Sequence, residues 1–405
     1  MSIHRRPHRF IFITLVAITF ISPLANHMFI PAMPLVKQEF QIGDDLAFAT
    51  LSLTMMTMAF TSIVYGGISD EWGRKRVLLS GLALYTIGAE LCWFAQNIEM
   101  LLGGRILQGA GAGCGIVLAR AIARDVYGME KISAVIANLT AAYVLGPLLA
   151  PTIGAYLVGW EGWRFLFIPI SIIGLTLIGV IYFTLPETHA PTHEKPTFSI
   201  IVRNILSNYF QLLKVPRFSA YALMPGCLSG AFFANATASA FLARETLNIS
   251  TEMFGLWFLW MPAGFMLGNL ISGQIGNRLS IGFMTIGGSA LCLAIVMCQW
   301  FWNASAGLSM ACIMIPGAAL GIGQGMCMPY AQTGAMRVNS ALAGSASGAV
   351  VFSQLFLAGA AEQTVGFVSD GTLIPVLYVM FSFSITGLAA AIFAEISRRR
   401  NAPTA

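Results

Sequence analysis

Gly66-Gly67-Ile68-Ser69-Asp70-Glu71-Trp72-Gly73-Arg74-Lys75-Arg76 is a short segment of glycines and charges between two apolar runs, 46–65 and 77–96. A hydrocarbon layer about 30 Å thick takes roughly 20 apolar residues in a helix, so each run is long enough to cross it. Glycine at Gly66 and Gly73 permits a tight turn. Charges at Asp70 and Arg74 suit helix ends and opposite charges nearby. The segment predicts two membrane helices joined by a turn on one face of a bilayer.

The same pattern of apolar runs and short polar breaks extends in both directions. Hydrophobic residues make up 57% of the 405 positions and charged residues 10%, whereas a soluble domain carries about a quarter charged residues. Each crossing must satisfy its own backbone hydrogen bonds, as a helix or in a closed barrel. Runs such as 171–185 and 378–394 lack the alternation of barrel strands. The expectation is an all-α integral membrane protein of twelve transmembrane helices. Six spans fall near 10–30, 46–65, 77–96, 100–119, 132–157 and 163–185, and six more near 218–242, 254–275, 281–302, 307–330, 342–367 and 373–396.

The longest polar break holds Glu187, Glu194, Lys195, Arg203 and Lys214, with Ile200, Ile201, Ile205, Leu206, Phe210, Leu212 and Leu213 at helical spacing. That pattern predicts a short amphipathic surface helix. The organisation expected is a six-helix bundle over 1–185, a cytoplasmic linker over 186–217 and a second six-helix bundle over 218–405. A faint repeat of Gly67-Ile68-Ser69-Asp70 at Gly273-Gln274-Ile275-Gly276-Asn277-Arg278 agrees with two related halves.

Charge fixes the expected orientation. Alternating twelve spans puts both termini and seventeen Lys and Arg residues on one side, against Lys37, Arg164 and Arg244 on the other. Basic residues collect on the cytoplasmic side, so both termini are expected there. The net charge of +5 is scattered over short loops rather than gathered into a nucleic-acid-binding face. Arg5, Arg6 and Arg9 before the apolar stretch 10–24 look like the start of a signal peptide, but further spans follow in place of a soluble domain. The seven cysteines sit in apolar runs without C-x-x-C or neighbouring His. No metal spacing and no nucleophile elbow is found, so no metal site, cofactor or enzyme activity is expected.

The opening segment resembles the signature loop of the major facilitator superfamily, G-x-x-x-D-x-x-G-R-K, at the same place between spans two and three. Arg105-Ile106-Leu107-Gln108-Gly109-Ala110-Gly111 resembles its R-x-x-Q-G-x-G motif. Gly146-Pro147-Leu148-Leu149-Ala150-Pro151-Thr152-Ile153-Gly154 is similar to the motif of its antiporter branch, with Ala150-Pro151 where a glycine pair is usual. With Leu185-Pro186-Glu187-Thr188, these motifs are closest to the twelve-helix drug:proton antiporters, in particular the bicyclomycin and chloramphenicol resistance type. The resemblance implies an Arg74–Asp125 ion pair, a gating role for Gly66, Asp70, Gly73, Arg74 and Asp125, and an antiporter motif at Gly146, Pro147, Pro151 and Gly154. It also implies export of drugs or metabolites across the inner membrane by alternating access, driven by the proton gradient.

One position departs from that branch. Its first span often ends D-x-Y-x-P-A-x-P, while this chain reads His27-Met28-Phe29-Ile30-Pro31-Ala32-Met33-Pro34. An arginine inside a span is expensive unless it faces water or a partner, which marks Arg105 as functional. His27, Glu90 and Arg105 fall at similar depth and are able to interact, and His27, Glu90 and Glu362 are the candidate proton carriers. Asn26, Asn235, Thr237, Gln324, Gln332 and Tyr330 are candidate substrate contacts on helices that line the cavity in the family. The partners expected are a small-molecule substrate and the lipid bilayer, with the protein a monomer. An exporter of an anionic metabolite, such as a carboxylate siderophore, is the alternative suggested by His27 and Arg105. A non-transport membrane protein is disfavoured, since no loop is long enough for a catalytic domain.

Overall fold

The computed structural model describes residues 8–189, 198–275, 278–339 and 342–400. Arg5, Arg6, Glu194, Lys195, Gly276 and Asn277 lie outside this set, as do the side chains of Arg9, Lys131, Ile200, Ile201 and Ile205. The described residues are helical, with no strand.

The first half comprises α1 (His8–His27), a 3-10 turn (Ile30–Ala32), α2 (Met33–Phe40), α3 (Asp44–Trp72), α4 (Arg74–Trp93), α5 (Ile98–Ala112), α6 (Cys114–Glu161) and α7 (Phe167–Thr184). The linking helix α8 (Phe198–Leu213) follows. The second half comprises α9 (Pro216–Phe241), α10 (Thr251–Phe258), α11 (Trp260–Ile275), α12 (Ile281–Ala306), α13 (Met310–Met336), α14 (Ala343–Val368) and α15 (Ile374–Arg400). Among the described residues, ten helical stretches are long and apolar enough by themselves to cross a membrane. Helix α4, which opens on Arg74-Lys75-Arg76, and the arm of α6 after Gly128 complete two bundles of six crossings. The face carrying the start of α1 and the end of α15 is termed the terminal face, and its opposite the distal face.

Several breaks fall where the backbone requires them. Helix α6 folds back at Gly128, whose φ of 68° and ψ of 176° suit only glycine at little cost, so its first arm continues α5 as the fourth crossing and its second arm is the fifth. The eighth crossing is α10 and α11, interrupted at Leu259 just before Pro262. Gly66 does not form part of the turn expected from the sequence. Helix α3 continues through it to Trp72, because nothing at Gly66 breaks its hydrogen-bond ladder, and the chain reverses at Gly73 alone, where φ is 93°.

Helices α4 and α5 approach closely along Gly88, Gly104 and Gly111, where an added Cβ would meet opposing backbone. Small residues of this kind let membrane helices gain dispersion contacts. In the distal loop before α15, Asp370 accepts bonds from the hydroxyl and amide of Thr372 at 2.6 and 2.8 Å, which hold its carboxyl below the usual carboxylate range. Helix α8 forms with the amphipathic character expected. Leu206, Phe210 and Leu213 are exposed, while Leu212 is buried and Tyr209 packs against the core, where burial pushes its phenol up to about 12.

Candidate functional site

Several clusters of polar side chains stand between apolar helices, and the chain supplies each from separate segments. The first surrounds Arg105 on α5, which has no exposed surface. Its Nε donates to the Thr50 carbonyl at 2.9 Å, Nη1 to Gln108 Oε1 at 2.6 Å and to the Ala25 carbonyl at 3.4 Å, and Nη2 to Asn26 Oδ1 at 3.3 Å. The Phe29 ring lies 4.5 Å from Cζ. Arg105 thus ties α1, α3 and α5 together through neutral acceptors, which offset part of the cost of burying its charge.

Across the boundary between the halves stands Glu362 on α14, 1% exposed. Thr237 Oγ1 on α9 donates to its Oε1 at 2.8 Å, and its Oε2 is buried with no partner among the described residues. The Arg105 guanidinium lies within electrostatic range of this carboxyl. The neighbouring Gln363 seams the halves, accepting from Ser52 Oγ at 2.6 Å and donating to the Asp45 carbonyl at 3.1 Å.

Between the halves lies a cavity of about 110 Å³, lined among others by Asn26, His27, Tyr143, Pro147, Phe233 and Gln324. Met55, Met58, Met328, Phe232 and Phe265 make its remaining wall mainly apolar and adaptable. His27 on α1 stacks on Phe233 of α9, with ring centroids 5.4 Å apart and planes 13° apart, so this pair bridges the two halves. Gln324 donates to Ser229 Oγ at 2.9 Å.

On the distal side the halves close over the cavity. Lys37 Nζ lies 2.6 Å from Asp44 and 2.8 Å from Glu245 of the other half. Phe48 stacks on Phe241 at 4.7 Å, and Thr152 Oγ1 donates to the Gly255 carbonyl at 2.7 Å. The antiporter-like segment belongs to this packing. Gly146 lies against Pro23, Gly154 against the Met28 backbone, and Ala155 against Gly255, so this arm of α6 seats on α1 and α10 at backbone distance. Pro151 sits within that arm, and Pro147 reaches the cavity.

On the terminal side Arg74, 2% exposed, bonds Asp70 at 2.5 Å, Asp125 at 3.2 Å and Ser69 Oγ at 2.5 Å. The Arg74–Asp125 pair implied by the motif is formed. The Glu187 carboxylate packs against Gly73 and accepts from the Lys75 amide at 3.3 Å, at the start of α4 where the helix dipole favours an anion. Thr188 Oγ1 reaches Asp125 at 3.5 Å, so the end of the first half joins the same cluster.

Other candidates lie apart from these clusters. Glu90 is half-buried on α4 and makes no side-chain bond to His27 or Arg105 among the described residues, because Arg105 turns to α1 and α3. Asn235 faces α12 and α13, donating to the Ile313 carbonyl at 3.2 Å and accepting from Gln299 at 3.2 Å, instead of lining the cavity. Tyr330 is buried in α13 away from the cavity lining, and Gln332 bonds Ser347. The sequence reading missed Phe233, Tyr143 and the Lys37–Glu245 bridge, none of which carries a signal outside the folded chain. It also missed Arg120, which sits within the fourth crossing as Arg105 does and was legible on the same ground.

Residues 15–361 match the Major Facilitator Superfamily. The chain belongs to that superfamily. This major facilitator protein is 27% identical over 343 residues to multidrug resistance protein D of Escherichia coli (strain K12), covering 83% of each chain. It is 25% identical over 310 residues to a bicyclomycin resistance protein homolog of Haemophilus influenzae, covering 74% of this chain and 77% of that one. Its fold matches a bacterial homolog of the human lysosomal transporter Spinster in an inward-facing, occupied conformation, with a TM-score of 0.73 at 14% identity over 98% of each chain. A D-xylose-proton symporter matches with a TM-score of 0.72 at 13% identity, over 96% of this chain and 97% of that one. The protein is a multi-pass membrane transporter of small molecules with the two-bundle fold of its superfamily.

Proposed function

We propose that this transporter exports amphipathic small molecules across the inner membrane by alternating access, driven by protons that bind Glu362. The carrying observation is the bare, buried oxygen of Glu362 beside Arg105 at the boundary between the halves. A carboxyl in that setting is satisfied either by a proton or by an opposing charge. Any movement of α14 relative to α5 changes that choice, and this ties proton binding to the rocking of the halves. The resistance names of several relatives support a drug-like cargo. Export of a substrate panel by everted vesicles, with and without a proton uncoupler, tests the proposal. Uncoupler-insensitive movement of every compound exported would remove the proton drive.

The orientation proposed has the terminal face in the cytoplasm, from the basic residues gathered there. The halves divide as 1–185 and 218–405 about the linker 186–217, and each monomer contains one complete cavity. A reporter that needs the cytoplasm is expected to be active when fused after Ala405 or within 192–197 and inactive near Asp44. The opposite pattern overturns the orientation.

His27 serves the cargo in this reading. It offers an aromatic face and a polar edge in the cavity without a fixed negative charge, and this favours neutral or anionic compounds over cations. An aromatic pair contributes about 0.5–1.5 kcal/mol, so His27→Ala is expected to raise the KM for aromatic cargo roughly two- to tenfold with uncoupler sensitivity kept. If His27→Ala instead removes uncoupler-sensitive export while counterflow persists, the coupled proton belongs to His27.

A further inference from the structure

Two arginines lie within the fourth crossing, and only one of them is held. Arg105 has four acceptors, whereas Arg120 has its Nε shielded from solvent with no hydrogen-bond partner among the described residues. Arg120 stands eight residues before Gly128, about 12 Å from the turn at 1.5 Å per residue. It lies two helical turns beyond Gly113, on the same face, and Gly113 abuts the backbone of Met58, a cavity residue. Its charge acts on the phenol of Tyr143, which lines the cavity from the other arm of α6. No carboxylate pairs with Arg120 among the described residues. A guanidinium at this depth whose Nε has no acceptor among the described residues is costly.

We infer that Arg120 and Tyr143 form an anion subsite at the terminal end of the cavity, which receives the carboxylate of an otherwise apolar, aromatic cargo. The guanidinium and phenol donate to the anion, while the Met and Phe side chains of the cavity wall hold the apolar body. Among the described residues no acidic side chain lines the cavity to repel such a compound. The inference rests on the cavity being the transport site, and it differs from a role for Arg105, four of whose five N–H donors are held by protein acceptors.

The test uses 2-naphthoate and its isosteric neutral amide, 2-naphthamide, bound to the purified full-length protein in lipid nanodiscs at neutral pH. The native protein is expected to bind the acid about tenfold more tightly than the amide, as charge-assisted hydrogen bonds provide. Arg120→Gln should abolish that preference while amide binding stays within about twofold, which also shows that the cavity remains folded. Arg120→Lys should retain part of the preference, and Tyr143→Phe should lose about threefold of it. Equal binding of acid and amide by the native protein, binding of neither, or an equal loss of both in Arg120→Gln overturns the subsite. Export by vesicles is a separate reading: if the binding preference holds and neither compound is exported, the subsite stands and the export proposal falls.

Discussion

Glu362→Gln is expected to lower uphill, uncoupler-sensitive export about tenfold or more, while counterflow of the same substrate stays within about twofold. A ligand biases a conformational equilibrium only through its different affinity for the two states, so a side chain that binds no proton gives the gradient nothing to act on. Glutamine keeps the shape and accepts the Thr237 bond in place of Oε1. The groups that face this carboxyl are Thr237 from α9 and Arg105 from α5, with the neutral Ser52–Gln363 seam beside it. Counterflow needs no net proton movement and reports whether the cavity and the rocking motion survive. Full uncoupler-sensitive export by Glu362→Gln, or an equal loss of counterflow, would remove Glu362 as the coupling group.

Arg74→Ala is expected to cut export about fivefold or more with an undiminished amount of folded protein in the membrane. Arg74 joins the end of α3, the start of α4 and the fourth crossing, through Asp70, Ser69 and Asp125. Bonds to charged groups contribute about 1.5–3 kcal/mol each, less where Asp70 is open to water. Losing even one of them shifts a two-state equilibrium fivefold or more if the cluster forms in only one state. Asp125→Asn should act in the same direction with a smaller effect, because Arg74 keeps Asp70. Accessibility of a cysteine placed in the cavity to an impermeant thiol reagent, in a background without exposed Cys298, reports the shift directly. Normal export by both variants, with unchanged accessibility, removes the gating role.

The sequence by itself determined that the chain is a bundle of membrane helices, because apolar runs of about 20 residues and a scarcity of charge leave no other way to satisfy the backbone in lipid. The sequence also marked Arg105 and Glu362, because charged groups within a span are costly enough to stand out, while Arg74, Asp125 and His27 were marked through the resemblance to the superfamily's motifs. The turn at Gly73 was legible with them, but the uninterrupted course of α3 through Gly66 was not. A glycine permits a turn without requiring one, and only the surrounding hydrogen bonds decide. Tertiary structure alone decided which of these groups meet. Depth along a span follows from counting residues, whereas the direction in which a side chain points depends on rotation about the helix axis and on the partner helix. His27, Glu90 and Arg105 share a depth, yet His27 turns to Phe233, Arg105 to Asn26 and Thr50, and Glu90 to neither. The same rotation brings Glu362 opposite Arg105 across more than 250 residues of chain, sends Asn235 to Gln299, and leaves Arg120 Nε without an acceptor among the described residues. Those pairings arise from helices packing between the two halves, and no spacing within one segment encodes them.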